Sequence, residues 1–348
     1  MKKISFLFIL LSALDWSCQK DRHGTNIYVA GYQNNPNSIG TVWKNGKALY
    51  QISGSHEVFS YNICVADGNV YTAGAEVNNG NNRVAKVWKN GKTLYTLTDG
   101  TNHAEVLDVA TDVNGNVYSV GYEIINNIPV GKVWKNNTVL YSFGEGINHV
   151  KIFDIKLAAN GEVYTAGYER NSNGIRVAKV WKNGNVLHTL SNGNYSAEAH
   201  ALVVAANGDV YTAGTEKNNN NIEIVKVWKN NTVVFTLTNG VYAGDTNAIA
   251  LASNGDVYTA GYQFNNVGTE VAKVWKNGAE LFTVGDGVHD ARAYGLCLSA
   301  QQEIYACGYE VNSNDYAVVK VWKNGIATPS LTDGTVPAFG YAIVLQEY

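Results

Sequence analysis

Two short patterns in the chain set an imidazole two residues from a carboxylate: His103 with Glu105, and Glu198 with His200. Alternate residues of a strand share a face, so each pair is suited to general acid–base work or to holding a metal ion. Other polar residues fall at matching places: His149 and Lys151, Asp245 and Asn247, and Asp290, Arg292 and Tyr294 beside His289. Their charges are of mixed sign. A metal site needs several imidazoles or carboxylates at one level without competing cations, so neither a metal nor a cofactor is expected. No Ser-His-Asp set is discernible, which weighs against an enzyme. A hydrolase or lyase gathering His103, Glu105, Glu198 and His200 about one axis is the alternative reading.

These residues occupy one place in a repeat. The segment Ile27-Tyr28-Val29-Ala30-Gly31 returns as Val70-Tyr71-Thr72-Ala73-Gly74, then around Tyr118, Tyr164, Tyr211, Tyr258 and Tyr305, at spacings of 43, 47, 46, 47, 47 and 47. A second motif, Val-Trp-Lys-Asn, carries Trp43, Trp88, Trp134, Trp181, Trp228, Trp275 and Trp322. A period in the forties with four short strand-like segments per copy reads as propeller blades. In one copy the strands fall at Ala201–Ala205, Val210–Glu216, Ile224–Lys229 and Val233–Leu237. Asn207-Gly208 and Asn230-Asn231 supply the left-handed conformations of two-residue hairpins.

The fold expected is therefore all-β, a seven-bladed β-propeller of four-stranded antiparallel blades over residues 27–348. The chain enters on a second-type strand and ends on a first-type strand, Tyr341-Ala342-Ile343-Val344-Leu345. The C-terminal innermost strand (338–346) should complete the first blade (27–52) and close the ring. The tryptophans should pack between neighbouring sheets. A lysine two residues before six of them should pair with the acid five residues after the motif tyrosine, as Lys86 with Glu76. Both sets of tight turns then lie on one face of the disc, and the long connections, many rich in Asn, lie on the other. Counting back thirteen and eleven residues from the motif tyrosine gives Glu105, Lys151, Glu198, Asp245 and Arg292, then Leu107, Phe153, His200, Asn247 and Tyr294. These sit where the innermost strands begin, at the channel mouth on the long-loop face.

Asn247 to Tyr262, with its Gly255-Asp256-Val257-Tyr258-Thr259-Ala260-Gly261 core, resembles the bacterial β-propeller repeat family of extracellular proteins. The likeness covers the first half of each unit across 27–348. It implies the fold and an extracellular setting, and brings no catalytic residues. Lys2-Lys3 and the apolar run Ile4–Leu14 read as a secretory signal, too short for a span. Ser17-Cys18 resembles a bacterial lipoprotein cleavage site with Cys18 as the lipidated residue. Cys18-Gln19-Lys20-Asp21 resembles the tag that sends some lipoproteins to the outer surface. The expectation is a leader over 1–17, a tether over 18–26, and an exported outer-membrane lipoprotein, periplasmic or at the cell surface. Its only membrane contact would be that lipid.

Composition agrees with this and excludes more. Thirty-five glycines, 22 tyrosines and only 16% charged residues do not suit a helical protein. A net charge of -3 gives no field for nucleic acid. Cys64, Cys297 and Cys307 lack metal-type spacing; a Cys297–Cys307 disulfide is possible in sequence but strained on adjacent strands. The functional expectation is a monomeric binding or scaffold module meeting a protein or glycan on the long-loop face. A multivalent lectin, one aromatic per blade, is a third reading.

Overall fold

The computed structural model describes residues 24–348 apart from residue 146. The expected leader, Cys18 and most of the tether lie outside the described residues. Seven four-stranded antiparallel sheets form a β-propeller, with no helix among the described residues. In blade one the inner strand is Ala338–Glu347, hydrogen-bonded to Thr25–Asn34, with Ser38–Lys44 and Lys47–Ile52 outward of it. The inner strands of blades two to seven are Val58–Ala66, Ala104–Thr111, Val150–Leu157, Ala197–Val204, Gly244–Leu251 and Ala291–Leu298.

Each repeated residue has a mechanical reason. The Asn of Trp-Lys-Asn opens the hairpin between third and outer strands with φ near 50°, as at Asn90 (51°) and Asn277 (49°). Asn tolerates that left-handed region better than most residues. Its side-chain oxygen also accepts the N–H of the residue opening the second strand. All seven blades make this bond at 2.8–2.9 Å, from Ile27, Val70, Val117, Val163, Val210, Val257 and Ile304. The Lys before that Asn lies over the ring of the motif tyrosine at 5.0–5.4 Å in every blade. That seven-fold cation–π ladder was not foreseen.

The tryptophans are buried and fill the space between blades. Trp134 of blade three packs with Tyr71, Ala73 and Val87 of blade two, and Trp43 closes the seam between blades seven and one beside Val319 and Val321. Truncating such a ring costs about 3–5 kcal/mol. The ion-pair ladder is also present: Lys86–Glu76, Lys132–Glu123, Lys179–Glu169, Lys226–Glu216 and Lys320–Glu310. In blade six Gln263 stands in the acid position, and Lys273 turns to Glu280 on the outer strand instead. Cys64, Cys297 and Cys307 are free thiols; Cys297 faces Tyr305 and Cys307 faces Gly295, so no disulfide links them.

The inner strands differ from the expected ones. In blade five the strand starts at Ala197, four residues before the apolar run at Ala201. The reason is a β-bulge. Ala199 pairs with Gly214 and Ala201 with Ala213, leaving His200 unpaired and the apolar alternation broken. Every blade repeats it, the extra residues being Tyr341, Tyr61, Leu107, Phe153, His200, Asn247 and Tyr294. A bulge bends its strand and re-aims a side chain.

Candidate functional site

The bulge explains the glycine of Tyr-x-x-Gly. A Cβ added at Gly31, Gly74, Gly121, Gly167, Gly214, Gly261 or Gly308 would lie 1.8–2.0 Å from the carbonyl oxygen of the inner-strand residue two before the bulge. The glycine makes room for the carbonyl that the bulge turns outward. The bulged side chain is thereby directed at the channel. Its seven bulged residues line a central cavity of about 650 Å³, which continues past Asp108, Asp154 and Lys156 to Val65, Thr111, Leu157 and Val344 near the tight turns.

The bulge layer divides into two kinds of surface. On blades seven, one and two it is aromatic. Tyr341 packs against Tyr294 at a tilt of 40° with ring centres 4.8 Å apart and meets Tyr61 edge-on at 5.8 Å, while Phe339, Tyr32 and Phe59 back them. Burial pushes the Tyr61, Tyr294 and Tyr341 phenols up, so all three stay neutral. On blades three to six the layer holds Leu107, Phe153, His200 and Asn247, with Phe153 edge-on to His200 at 5.3 Å.

One step nearer the long loops, the charged residues are tied across blade boundaries. Glu105 pairs with Arg83 of blade two, Glu198 with Arg176 of blade four, and Arg292 with Glu270 of blade six, the last with sign reversed. Arg83 also donates to the Tyr61 hydroxyl at 3.0 Å, and Arg292 to Tyr294 at 3.3 Å. Each partner lies 22 residues before its mate. That spacing of opposite charges is a signal in the chain that points to these pairs. Against the penalty of burial, hydrogen bonds from His103 and Arg83 hold the Glu105 carboxyl down to about 2.

His200 is held between two acids. Its Nε2–H faces Glu198 Oε2 at 3.2 Å, and its Nδ1–H faces Asp245 Oδ1 at 2.9 Å and the Thr246 carbonyl at 2.9 Å. Burial alone would push the imidazole down, but the two carboxylates overrule it and hold it well above its ordinary value. Both nitrogens are engaged, and the flanking carboxylates favour the imidazolium. Asn247 donates to the Ala293 carbonyl at 3.4 Å.

Lys151 has a different setting. Its ammonium lies over the Tyr122 ring at 3.9 Å and makes no ion pair among the described residues. Burial pulls it down, against the fields of Glu105 and Glu198. Counting His200 as charged, Arg83, Lys151, Arg176, His200 and Arg292 face Glu105, Glu198, Asp245 and Glu270, a surplus of one positive charge.

Three sequence candidates stand apart from the channel wall. His103 lies 3.5 Å from Glu105 and against Tyr122. His149 lies in the connection before its strand, its carbonyl taking the Arg170 N–H. Asp290 accepts the Glu270 N–H at 2.8 Å and so steadies the Arg292 partner. The leading loop asparagines are also committed to the fold. Asn78, Asn171, Asn218, Asn265 and Asn312 each accept two N–H groups of their own loop and donate to a glycine carbonyl of the next connection.

These features define the class: a β-propeller with a lined central channel. No protein-family model matches the chain, and no curated protein matches it. Among solved structures it is similar to the β-propeller domain of the Trilobed protease from Pyrococcus furiosus, at 12% identity and TM-score 0.51, covering 90% of this chain and 96% of that one. It is similar to an ulvan lyase, a polysaccharide lyase, at 10% identity and TM-score 0.51, covering 92% and 91%. A third similarity, at 12% identity and TM-score 0.43, is to a protein of unknown function from Bacteroides caccae, covering 92% and 99%. At these identities the likeness is one of fold.

Proposed function

We propose that this propeller is a binding module, held outside the cytoplasm by lipid on Cys18, whose ligand docks on the long-loop face over the channel mouth. One observation carries the reading. The seven-fold symmetry breaks at the mouth, where the bulge residues of blades seven, one and two are tyrosines while those of blades three to six are not, and ion pairs at the blade boundaries two–three, four–five and six–seven border them. Rings that present an apolar face beside groups that bind hydroxyls suit a sugar, so a glycan fits better than a protein. Lys151 supplies the cation left over.

The alternative, a hydrolase or lyase, would look to His200 as its base. An imidazolium gripped by Glu198 and Asp245 has no lone pair to offer. A glycan array on the full chain, followed by product analysis of each bound glycan, tests the reading. Binding without turnover supports it; turnover of a bound glycan, or an empty array, overturns it. Export and lipidation are tested by labelling with a radioactive or clickable fatty acid in cells, where Cys18→Ser should lose the label.

A further inference from the structure

The seven seams between blades provide an internal comparison, and one of them is unlike the rest. Seven residues after each tryptophan, the outer strands carry Tyr50, Tyr95, Tyr141, His188, Phe235 and Phe282. These rings cover the hairpin of the next blade. Tyr50 lies against Gly91, Tyr141 against Gly184, Phe235 against Gly278 and Phe282 against Gly325, while the Tyr95 hydroxyl reaches Asn136 Oδ1 at 3.5 Å. In blade seven the same place holds Pro329. The outer strand there shrinks to Ile326–Ala327, and a Cβ placed on Gly46 of the facing hairpin would meet nothing within 4 Å.

What the missing ring leaves is a cavity of about 460 Å³ at the seam of blades seven and one. Ile27, Pro329 and Leu331 line it over a floor of buried Trp43, Val29 and Val321, and Asn45, Thr328 and the exposed Lys47 are its polar lining. Lys47 is exposed and forms no ion pair among the described residues. Trp43 elsewhere in the seam is packed, so the space is bounded by a rigid ring. The cavity opens to solvent on the side of Pro329 and Lys47, both exposed. Apolar walls with one cation at the rim match a ligand of opposite design.

We infer that this seam cavity binds an amphiphile with one hydrocarbon chain and an anionic head, a medium-chain fatty acid being its simplest form. The chain would replace the ring that the other seams possess, each methylene gaining by leaving water. The carboxylate would sit at Lys47. The site is separate from the channel mouth, so it stands or falls independently of glycan binding.

Isothermal titration of the full chain with sodium decanoate below its micelle concentration tests this, with 1-decanol as the uncharged probe. One saturable site per chain is expected. Pro329→Phe should rebuild the ring of the other seams and weaken decanoate at least tenfold; Ile27→Phe, filling from the opposite wall, should do the same if the first variant folds poorly. Lys47→Met should weaken decanoate several-fold and leave decanol unchanged. Absence of saturable binding, or equal affinity in the wall-filling variants, overturns the site, as does equal loss of both probes in Lys47→Met.

Discussion

Replacing Gly214 by alanine separates two reasons a repeat keeps a glycine. The backbone of Gly214 is not left-handed, so alanine can adopt it. The obstacle is space: the new Cβ would lie 2.0 Å from the Glu198 carbonyl oxygen, where real contacts do not fall below 3.0 Å. The strands must part by about 1 Å or the bulge at His200 must flatten. Overpacking of that kind costs about 1–3 kcal/mol. Flattening also takes His200 from between Glu198 and Asp245, leaving buried charge without its partner, so the upper end of that range is expected. Gly208, with φ of 88° and nothing within 4 Å of its Cβ position, is the control. Alanine there meets only backbone strain, about 1–2 kcal/mol. Urea unfolding followed by tryptophan fluorescence gives both costs, and NMR titration of His200 reports the bulge. Gly214→Ala should cost about 3 kcal/mol and return His200 toward an ordinary value. A cost below that of Gly208→Ala would refute the steric argument, and an unmoved His200 would refute the flattening of the bulge.

Three further outcomes follow from the same geometry. Lys226→Met should destabilise by about 1–2 kcal/mol, since it leaves half-buried Glu216 unpaired; Lys273→Met, which frees only the more exposed Glu280, should cost less by the same urea assay. The folded His200 value is raised above the unfolded ~6.5, so its contribution to stability is full below about pH 6.5 and fades as pH rises through the folded value; His200→Gln should flatten that part of a stability–pH profile. Burial and the neighbouring Asp154 carboxylate push the Asp108 carboxyl well up, while Lys156 holds Asp154 down despite burial. Both Asp108 oxygens accept backbone N–H groups, from Val109 at 2.7 Å and Ile155 at 2.9 Å, so Asp108→Asn, which turns an NH2 toward one of them, should lower the melting temperature; Asp154→Asn, which also loses the Lys156 ion pair, should lower it further.

The architecture was legible because every blade needs the same parts. Seven tryptophans at one position, paired Lys and Glu, and Asn in the hairpins encode packing that depends on local spacing, which the chain displays directly. Bulges do not announce themselves this way. The Ala201 run hid the true start of the strand at Ala197, because an unpaired His200 breaks the period that reveals a strand. Glu105, Glu198 and Arg292 share one register position on their inner strands, but their partners lie on the preceding blade. Residues read as shaped for a ligand are thus tied largely to one another, and Lys151 stands out only once those pairs are drawn.

The most direct test of ligand docking over the channel mouth is the affinity of Lys151→Met for the glycan found by array, set against Lys217→Met, a lysine near the long loops paired with Glu223 and away from the mouth. Loss of at least tenfold in the first and no change in the second is the predicted result. Equal affinities in the two variants would contradict it.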